Sequence, residues 1–265
     1  MKIKPNRVKE KIKSLEPIIC AFMRIPNPMV AEIMGVCGVE LIVIDCEHFY
    51  YNVETIANTI RAAELYETSC LVRIGEPNRG TICNMLDMGA AGILLTNVEN
   101  VEDVKKAVDA VKYYPVGHRG VSTDSRGCRY GKLVDPVMHS KYYNDNTIIA
   151  VVIETKGAVE EIDKILDIKE IDIVSVGEAD LSYVYGHPGE VDHPELIRLK
   201  SKIYEKISAS GKVALDKITT PETAGQAFKE GKRCFYITSD TVLLCNGLKN
   251  LIAPINKKIG AMRQP

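Results

Sequence analysis

The feature of this sequence that most restricts its fold is the alternation of short apolar runs with amphipathic segments. Eight runs rich in Val, Ile and Leu are predicted to be strands: Ile18–Met23, Leu41–Asp45, Cys70–Ile74, Gly92–Thr96, Ile148–Glu154, Asp172–Gly177, Lys212–Leu215 and Cys234–Thr238. Most of these runs are apolar at every position, which is typical of parallel strands that are buried on both faces. The pattern therefore predicts a parallel sheet of the α/β class.

The segments between the predicted strands have helical periodicity. Apolar residues recur at helical spacing in Val53–Leu65, Val101–Val111, Ala158–Leu166, Pro194–Ser208 and Pro221–Lys229. Asn52, Asn100 and Thr220 each precede such a segment, with an acidic residue following in its first turn, as is usual at a helix start.

The number of strand–helix units and the chain length together indicate a closed barrel. About eight units in 265 residues favour a (β/α)8 TIM barrel, in which the whole chain 1–265 forms one domain. An open doubly wound sheet is the alternative, but the segment after Met23 has no glycine-rich nucleotide motif. The segment before Pro17 is predicted to form an additional N-terminal helix that closes the bottom of the barrel.

Charge and composition exclude several function classes. The 34 basic and 35 acidic side chains leave a net charge of -1, so no overall field attracts nucleic acid or an anionic membrane. The basic start of the chain lacks the apolar run of a signal peptide, and no stretch approaches the ~20 apolar residues of a membrane span. The eight cysteines are scattered and form no CxxC pair, as expected of reduced thiols. We therefore expect a cytoplasmic protein whose partners are small molecules or other copies of itself.

Charged residues stand near the C-terminal ends of four of the predicted strands, either in the strand or just after it. They are Asp45, Glu47 and His48 after the second strand, Arg73 in the third, Glu154 at the end of the fifth, and Glu178 and Asp180 after the sixth. In TIM barrels the catalytic groups lie at the C-terminal ends of the strands. Charged groups next to such apolar runs must also face the barrel mouth, because burying a charge without a partner costs considerable folding free energy. We therefore expect them to converge at one face.

Glu154 and Asp180 are the predicted metal ligands. Two carboxylates from adjacent strands offer oxygen ligands to a hard divalent ion such as Mg²⁺ or Mn²⁺. A site with only two protein ligands keeps positions free for a 2-oxo acid, which chelates through its carboxylate and keto oxygens. Two other interpretations remain: Glu154 as a buried ion-pair partner, and Asp180 as a helix cap.

Arg73 and His48 are the predicted polar catalytic groups. The guanidinium of Arg73 suits a carboxylate or an enolate oxygen, although a structural salt bridge to Asp45 or Glu47 is the alternative. His48, with a reference pKa of about 6.5, suits proton transfer, and its alternative is a structural role. The long basic connection between Tyr113 and Asn146 either closes over an anionic substrate or is a solvated surface loop.

Several motifs resemble those of the HpcH/HpaI family of metal-dependent 2-oxo-acid aldolases, whose best known activity is 4-hydroxy-2-oxoheptanedioate aldolase. The similar segments are DCEH at 45–48, LVRI at 71–74, MLDMGAAGIL at 85–94, YYPVGHRG at 113–120, VIET at 152–155 and VGEADLS at 176–182. Their order and spacing extend the resemblance over roughly residues 15–250. Together the motifs are specific, whereas any one of them alone is weak.

The resemblance implies a role for each candidate residue. It implies a barrel with Glu154 and Asp180 as ligands of Mg²⁺ or Mn²⁺, with Co²⁺ also possible. It implies His48 as the general acid–base, Arg73 as the group that binds the oxo acid, and Asp87 as the carboxylate that pairs with His48.

The resemblance also implies how the substrate and the subunits are held. The backbone around Gly177, Ala179 and Asp180 would receive the substrate carboxylate. The protein would be a homo-oligomer, a hexamer or a dimer-based assembly in which the last helix is exchanged, and the apolar segment Val242–Ile259 is compatible with such an exchange.

The sequence departs from the family pattern at three places. Val152 stands where the family usually has Gln, which removes an amide hydrogen bond. Glu178 replaces a usual Pro, and its charge is expected to favour the cation while repelling a second substrate carboxylate. Thr96-Asn97 replaces a proline after the fourth strand and makes that wall of the expected substrate pocket more polar.

The expected activity is aldol cleavage or formation, that of a carbon–carbon lyase (EC 4.1.2), acting on a 2-oxo acid and an aldehyde. Three alternatives remain. The first is a citrate-synthase-like condensation with an acyl thioester. The second is a Schiff-base route, for which Lys217 is the nearest lysine. The third is a barrel that binds an oxo acid or a metal without catalysis.

Overall fold

A closed barrel of eight parallel strands forms the centre of the protein. The computed structural model describes residues 6–131 and 135–262. The strands follow one another around the barrel in sequence order: β1 (Ile18–Met23), β2 (Leu41–Asp45), β3 (Ser69–Ile74), β4 (Gly92–Leu95), β5 (Ile148–Ile153), β6 (Ile173–Val176), β7 (Val213–Lys217) and β8 (Cys234–Ser239). The predicted TIM-barrel class is therefore confirmed, and all eight predicted strands are present.

Twelve helices surround the barrel in the described residues. They are α1 (Arg7–Ser14), α2 (Pro28–Val36), α3 (Val53–Glu64), α4 (Arg79–Asp87), α5 (Val101–Val111), α6 (Pro136–Asn146), α7 (Lys156–Glu160), α8 (Ile162–Leu166), α9 (Glu178–Val184), α10 (Pro194–Ala209), α11 (Pro221–Lys229) and α12 (Asp240–Met262). The predicted caps are confirmed: the side chains of Asn52, Asn100 and Thr220 accept hydrogen bonds from backbone N–H groups in the first turns of α3, α5 and α11.

One predicted helix is divided in two. The single helix expected over 158–166 is broken at Glu161, whose backbone dihedrals are φ −97° and ψ 12°. The Glu161 carboxylate accepts a 2.8 Å hydrogen bond from the N–H of Val101 and pairs with Lys164 at 2.7 Å. The break thus lets this carboxylate satisfy the first turn of α5, a long-range contact that helical periodicity does not report.

The N-terminal helix closes the lower end of the barrel, as predicted. Val8 of α1 is 1% exposed and packs in the same apolar cluster as Ile18 and Leu41, which begin β1 and β2. Beside it, Lys9 forms a mostly buried ion pair of 2.6 Å with Asp172. None of the described helices combines the length and the apolar content that crossing a bilayer requires.

The strand register brings the chemically important residues together. Asp45 at the end of β2 lies beside Arg73 of β3, and Ile153 of β5 lies beside Val176 of β6. Because neighbouring strands are parallel, the residues that follow them, Glu154 and Gly177, emerge side by side at the C-terminal end of the barrel. The candidate site is built at this end.

Candidate active site at the C-terminal end of the barrel

A cavity of about 350 Å³ opens at the C-terminal ends of the strands, and we call it the mouth cavity. Its lining includes six of the seven site residues predicted from the sequence: His48, Arg73, Glu154, Gly177, Ala179 and Asp180. They come from the ends of four different strands, as expected for this fold. The seventh, Asp87, does not line it.

Arg73 is held by two carboxylates. Its Nη2 lies 2.5 Å from Glu47 Oε2, and its Nη1 donates to Asp45 Oδ2 at 3.4 Å. Asp45 is fully buried and also accepts a 3.2 Å hydrogen bond from Arg24 Nε. The buried Nε of Arg73 has no hydrogen-bond partner among the described residues. Arg73 is therefore both salt-bridged and at the cavity wall, with one donor still unused.

Glu154 is buried but accessible on one side to the cavity. The residue is 2% exposed, and its Oε1 accepts a 2.7 Å hydrogen bond from the backbone N–H of Asn97. Burial raises the pKa of Glu154 to about 7; the Asn97 hydrogen bond opposes this rise, and the nearby charge of Asp180 adds to it. Among the described residues Glu154 forms no salt bridge, so the ion-pair interpretation is not supported.

The position of Glu154 requires a glycine directly after the neighbouring strand β6. A Cβ atom built on Gly177 would lie 2.5 Å from both Cβ and Oε2 of Glu154, closer than any side chain allows. The absence of a side chain at Gly177 therefore lets the carboxylate lie against the start of α9.

Asp180 belongs to the first turn of α9 and is exposed at the cavity. The helix begins after Gly177 without a side-chain cap, so Asp180 does not cap it. The charge of Asp180 raises the pKa of the buried Glu154, so a hard cation placed between these two carboxylates would stabilise their charged forms. Their oxygen-only donor set fits Mg²⁺ or Mn²⁺.

Glu178 does not present an uncompensated charge to the cavity. Its Oε1 lies 2.5 Å from Nζ of Lys200 on α10, and both side chains are about two-thirds or more buried. The repulsion of a second substrate carboxylate that was expected from Glu178 is therefore offset by an ion pair. Lys200 lies in another helix, so this compensation was not visible in the sequence around 178.

His48 lies at the rim of the mouth cavity. Its side chain is 56% exposed, and its Nε2 lies 3.6 Å from Glu47 Oε2. Its backbone N–H donates to Asp45 Oδ1 at 3.3 Å, which fixes the turn after β2. The imidazole is thus close to Arg73's carboxylate partner and open to a ligand.

Asp87 lies at the opposite end of the barrel from His48. It ends α4, which runs back from the mouth toward the start of β4 at Gly92. Its Oδ1 accepts a 2.6 Å hydrogen bond from Arg119, and the described residues show no hydrogen bond between Asp87 and His48. The chain by itself therefore does not bring this predicted pair together, and the pairing would need a second copy.

The described residues of the long connection, 113–131 and 135–146, do not line the mouth cavity. Arg119 pairs with Asp87 and stacks 4.8 Å above the ring of Tyr113, while Arg126 pairs with Glu64 at 2.6 Å. The last part of this connection forms the helix α6, where a loop was expected. Arg126 and Arg129 instead line a larger cavity of about 830 Å³ beside α1, which contains none of the predicted site residues.

Two residues support the site in ways that the sequence did not predict: Arg24 was not among the candidates, and Asn97 was expected only to make the wall after the fourth strand more polar. Arg24 follows β1 directly, the same signal that identified the other candidates, and it supports Asp45. Asn97 has a positive φ of 53° and connects two acids, since its side chain donates to Glu47 Oε1 at 2.9 Å. Asn tolerates this conformation better than most residues, and its position after β4 was a usable signal.

Comparison with known proteins agrees with this geometry. The family model described as HpcH/HpaI aldolase/citrate lyase matches residues 19–247. The 2-keto-3-deoxy-L-rhamnonate aldolase of Escherichia coli (strain K12) is 30% identical over 249 residues, which cover 94% of this chain and 92% of that protein.

Two crystal structures are also similar over nearly their whole length. An HpcH/HpaI aldolase from Desulfitobacterium hafniense DCB-2 superposes with a TM-score of 0.88 at 27% identity, covering 94% of this chain and 96% of that chain. The citrate synthase SbnG superposes with a TM-score of 0.86 at 27% identity, covering 95% and 98%. With the family model matched from β1 into α12, the chain belongs to the HpcH/HpaI aldolase/citrate lyase family.

Proposed function

We propose that this protein is a metal-dependent aldolase, a carbon–carbon lyase of the EC 4.1.2 group. It would cleave a 4-hydroxy-2-oxo acid to pyruvate, or a related 2-oxo acid, and an aldehyde, or catalyse the reverse reaction. The observation that carries the proposal is that Glu154 and Asp180 share one cavity with Arg73 and His48.

Glu154 and Asp180 would hold the metal ion. Aldolases of this family depend on a divalent metal, and the two carboxylates fit Mg²⁺ or Mn²⁺, with Co²⁺ as a further possibility. When bound, the cation supplies positive charge that stabilises the negative charge developing on the keto oxygen.

Arg73 would bind and orient the 2-oxo acid. Asp45 and Glu47 hold the guanidinium in place before the substrate arrives, so little ordering is left to the binding step. Its unpartnered Nε is a donor available to a carboxylate or enolate oxygen. The first turn of α9, at Ala179 and Asp180, has backbone N–H groups without helical partners, and these suit the substrate carboxylate.

His48 would move the proton of the aldol hydroxyl. In the cleavage direction the imidazole accepts the proton from the C4 hydroxyl, the C3–C4 bond breaks, and its electron pair passes into the enolate of the 2-oxo acid. Protonation of C3 then gives the free 2-oxo acid, and the aldehyde leaves. Asp87 of a second copy of the chain would pair with His48 and raise its basicity.

The long last helix supports a homo-oligomer. Eight apolar residues of α12 are 45% to 66% exposed in the single chain: Val242, Leu243, Leu244, Leu248, Leu251, Ile252, Ile255 and Ile259. An apolar face of this length is unfavourable in water and suits packing on another copy. We propose an assembly in which α12 is exchanged between copies, dimer-based or hexameric.

The substrate is proposed to be a 2-keto-3-deoxy sugar acid. The relative from Escherichia coli is a 2-keto-3-deoxy-L-rhamnonate aldolase. Polar side chains that line the mouth cavity, among them Arg24 and Ser175, suit a hydroxylated aldehyde better than an apolar one.

The test is pyruvate formation from a panel of 4-hydroxy-2-oxo acids that includes 2-keto-3-deoxy-L-rhamnonate. Turnover with Mg²⁺ or Mn²⁺ is expected, with loss in EDTA and in the Glu154→Gln and Asp180→Asn variants. Glu102→Gln, which removes an exposed carboxylate on α5, is the matched control and is expected to keep full activity. Undiminished turnover in EDTA would rule out the metal-dependent scheme.

A condensation with an acyl thioester is the second candidate, because the citrate synthase SbnG shares the fold at 27% identity. Thioester-dependent consumption of oxaloacetate, without cleavage of any hydroxy-oxo acid, would favour it. Trapping of Lys217 by borohydride in the presence of pyruvate would instead favour the Schiff-base route. Thermal stabilisation by 2-oxo acids without any product would indicate binding alone.

A further inference from the structure

A second group of metal-ligating side chains lies in the turn between α9 and α10. His187, Glu190 and His193 each offer one ligand atom, and these atoms lie within 4.8 Å of one another. In the described part of the chain this is the one group of three or more His, Cys, Asp or Glu residues that close together. It shares no residue with the predicted metal ligands Glu154 and Asp180.

The local sequence places the three side chains on one side of two consecutive turns. The backbone N–H of Glu190 donates to the carbonyl of His187 at 3.0 Å, and that of His193 donates to the carbonyl of Glu190 at 2.9 Å. A spacing of three residues, repeated with this hydrogen bonding, brings side chains into line. Gly186 and Gly189, with φ of 84° and 79°, permit the reversals.

The turn is anchored to the protein through Ser182, which is fully buried. The Ser182 carbonyl accepts a 2.7 Å hydrogen bond from the N–H of His187, and its hydroxyl accepts one of 3.0 Å from the N–H of Gly189. The ligand geometry therefore does not depend on a free loop, and a cation would not have to order it.

Glu195 orients both imidazoles. Its backbone N–H donates to Nδ1 of His193 at 3.4 Å, and its carboxylate lies 3.2 Å from Nε2 of His187. Each ring thereby has one nitrogen engaged and the other left for a ligand. Metal-binding histidines are usually held in this way, through a carboxylate or backbone partner on the second nitrogen. The rings are stacked, with centroids 3.5 Å apart.

We propose that His187, Glu190 and His193 form a binding site for a divalent transition metal, Zn²⁺ above all. Two imidazole nitrogens and one carboxylate are a common zinc donor set that leaves a position open, whereas Mg²⁺ prefers oxygen ligands. Val191 lies between two of these ligands and lines the mouth cavity. The proposed site therefore adjoins the wall of the mouth cavity.

The test separates this site from the mouth cavity. Zn²⁺ is titrated by calorimetry into metal-free protein that carries Glu154→Gln and Asp180→Asn. One Zn²⁺ per chain is expected, and a large excess of Mg²⁺ should not displace it. In the same background, His187→Ala with His193→Ala is expected to weaken binding by about 100-fold or more, since ligand removal costs at least as much as loss of an outer partner.

The matched control is His118→Ala, an exposed histidine that also contacts a carboxylate, that of Asp109. This variant is expected to bind Zn²⁺ like its parent. His187→Gln with His193→Gln keeps side chains of similar size and is expected to lose binding while still unfolding cooperatively on heating in EDTA. Visible absorption of bound Co²⁺ in the parent, absent from the double variant, would support the proposal. Equal Zn²⁺ affinity in parent and double variant, or no binding by the parent, would overturn it.

Discussion

The backbone N–H of Asn97 donates a 2.7 Å hydrogen bond to Oε1 of Glu154, while the Asn97 side chain donates to Glu47. One residue thus links the carboxylate proposed to bind the metal with the carboxylate that holds Arg73. Asn97 has a φ of 53°. In this conformation its backbone N–H binds Glu154 and its side-chain amide binds Glu47.

Substitution of Asn97 is expected to separate these two contributions. Asn97→Gly keeps the positive φ and the N–H bond to Glu154 but loses the amide bond to Glu47. Asn97→Ala loses that bond and also adds backbone strain of about 1–2 kcal/mol. We expect the Ala variant to be less stable than the Gly variant by about 1 kcal/mol in urea unfolding. Equal stability would mean that the positive φ contributes nothing.

Metal affinity is expected to depend on pH through Glu154. Its pKa is raised to about 7, so the carboxyl is mostly protonated below neutral pH, and a cation must displace that proton. The apparent affinity for Mn²⁺ should fall by up to about tenfold per pH unit below 7 and level off above it. Calorimetric titration between pH 5.5 and pH 8.5, roughly, covers this range. A flat profile would contradict the raised pKa.

The raised pKa of Glu154 also makes the stability of the metal-free protein depend on pH. A carboxyl whose pKa is higher in the folded than in the unfolded chain binds more protons when folded, so its contribution to stability falls as pH rises from about 4.5 to about 7. Glu154→Gln removes this effect. We expect the variant to unfold at a higher temperature than the parent in EDTA at pH 8, and Glu102→Gln to show no such gain.

Replacement of Arg73 should distinguish support of the fold from catalysis. Arg73→Ala leaves Glu47 without its arginine partner and Asp45 with Arg24 alone, and should lower the unfolding free energy by about 3 kcal/mol. Arg73→Lys keeps the charge and should recover most of that stability. It should still lower kcat/KM by about 100-fold, because an ammonium cannot hold two carboxylates and a substrate oxygen together. Parallel denaturation and steady-state kinetics measure both effects.

Lys200 is expected to influence the choice of substrate. Lys200→Met exposes the charge of Glu178 at the mouth cavity, so KM should rise about threefold for a substrate with a second carboxylate and stay unchanged for one without it. The partial exposure of the pair keeps the effect modest. Lys202→Met, an exposed position on the same helix, is the control for α10. A KM change for both substrates would point to a general disturbance.

The proposed exchange of α12 predicts a change in assembly. Leu251→Glu with Ile255→Glu places two charges on the exposed apolar face and should shift the protein to a smaller species in native mass spectrometry. If Asp87 acts on His48 of another copy, activity should fall with dissociation. Lys257→Glu changes charge at a polar position of α12 and should leave the assembly intact. An unchanged mass for the double variant would contradict the exchange.

The strands could be predicted closely because burial on both faces leaves a local signature. All eight predicted strands agree with the structure to within about two residues at each end, and the caps at Asn52 and Asn100 were predictable from residues that follow one another directly in the sequence. The helix α6 was missed because its apolar residues, such as Tyr143, pack against Tyr113 without a clear helical period.

The site residues that could be predicted from the sequence are those that stand at or just after the end of a strand. Arg73, Glu154 and Asp180 each stand at the end of an apolar run, and the parallel order of strands brings such ends together. The supporting contacts come from elsewhere in the chain: Asn97, in the loop after β4, binds Glu154, and Lys200, 22 residues beyond Glu178, pairs with that acid. Such a hydrogen bond or ion pair depends on which residues lie close together in the folded chain, and the periodicity of the local sequence does not report this.

The order of the strands, the barrel and the face that bears the chemistry follow from the pattern of residues along the chain, since burial and turn preferences act over a few residues at a time. Only the folded arrangement decided that Glu154 is buried against Gly177 and that Asp87 lies away from His48. Only the fold, too, set two histidines and a glutamate within reach of one ion. Desolvation, charge compensation and metal geometry all depend on which groups meet after the chain has closed.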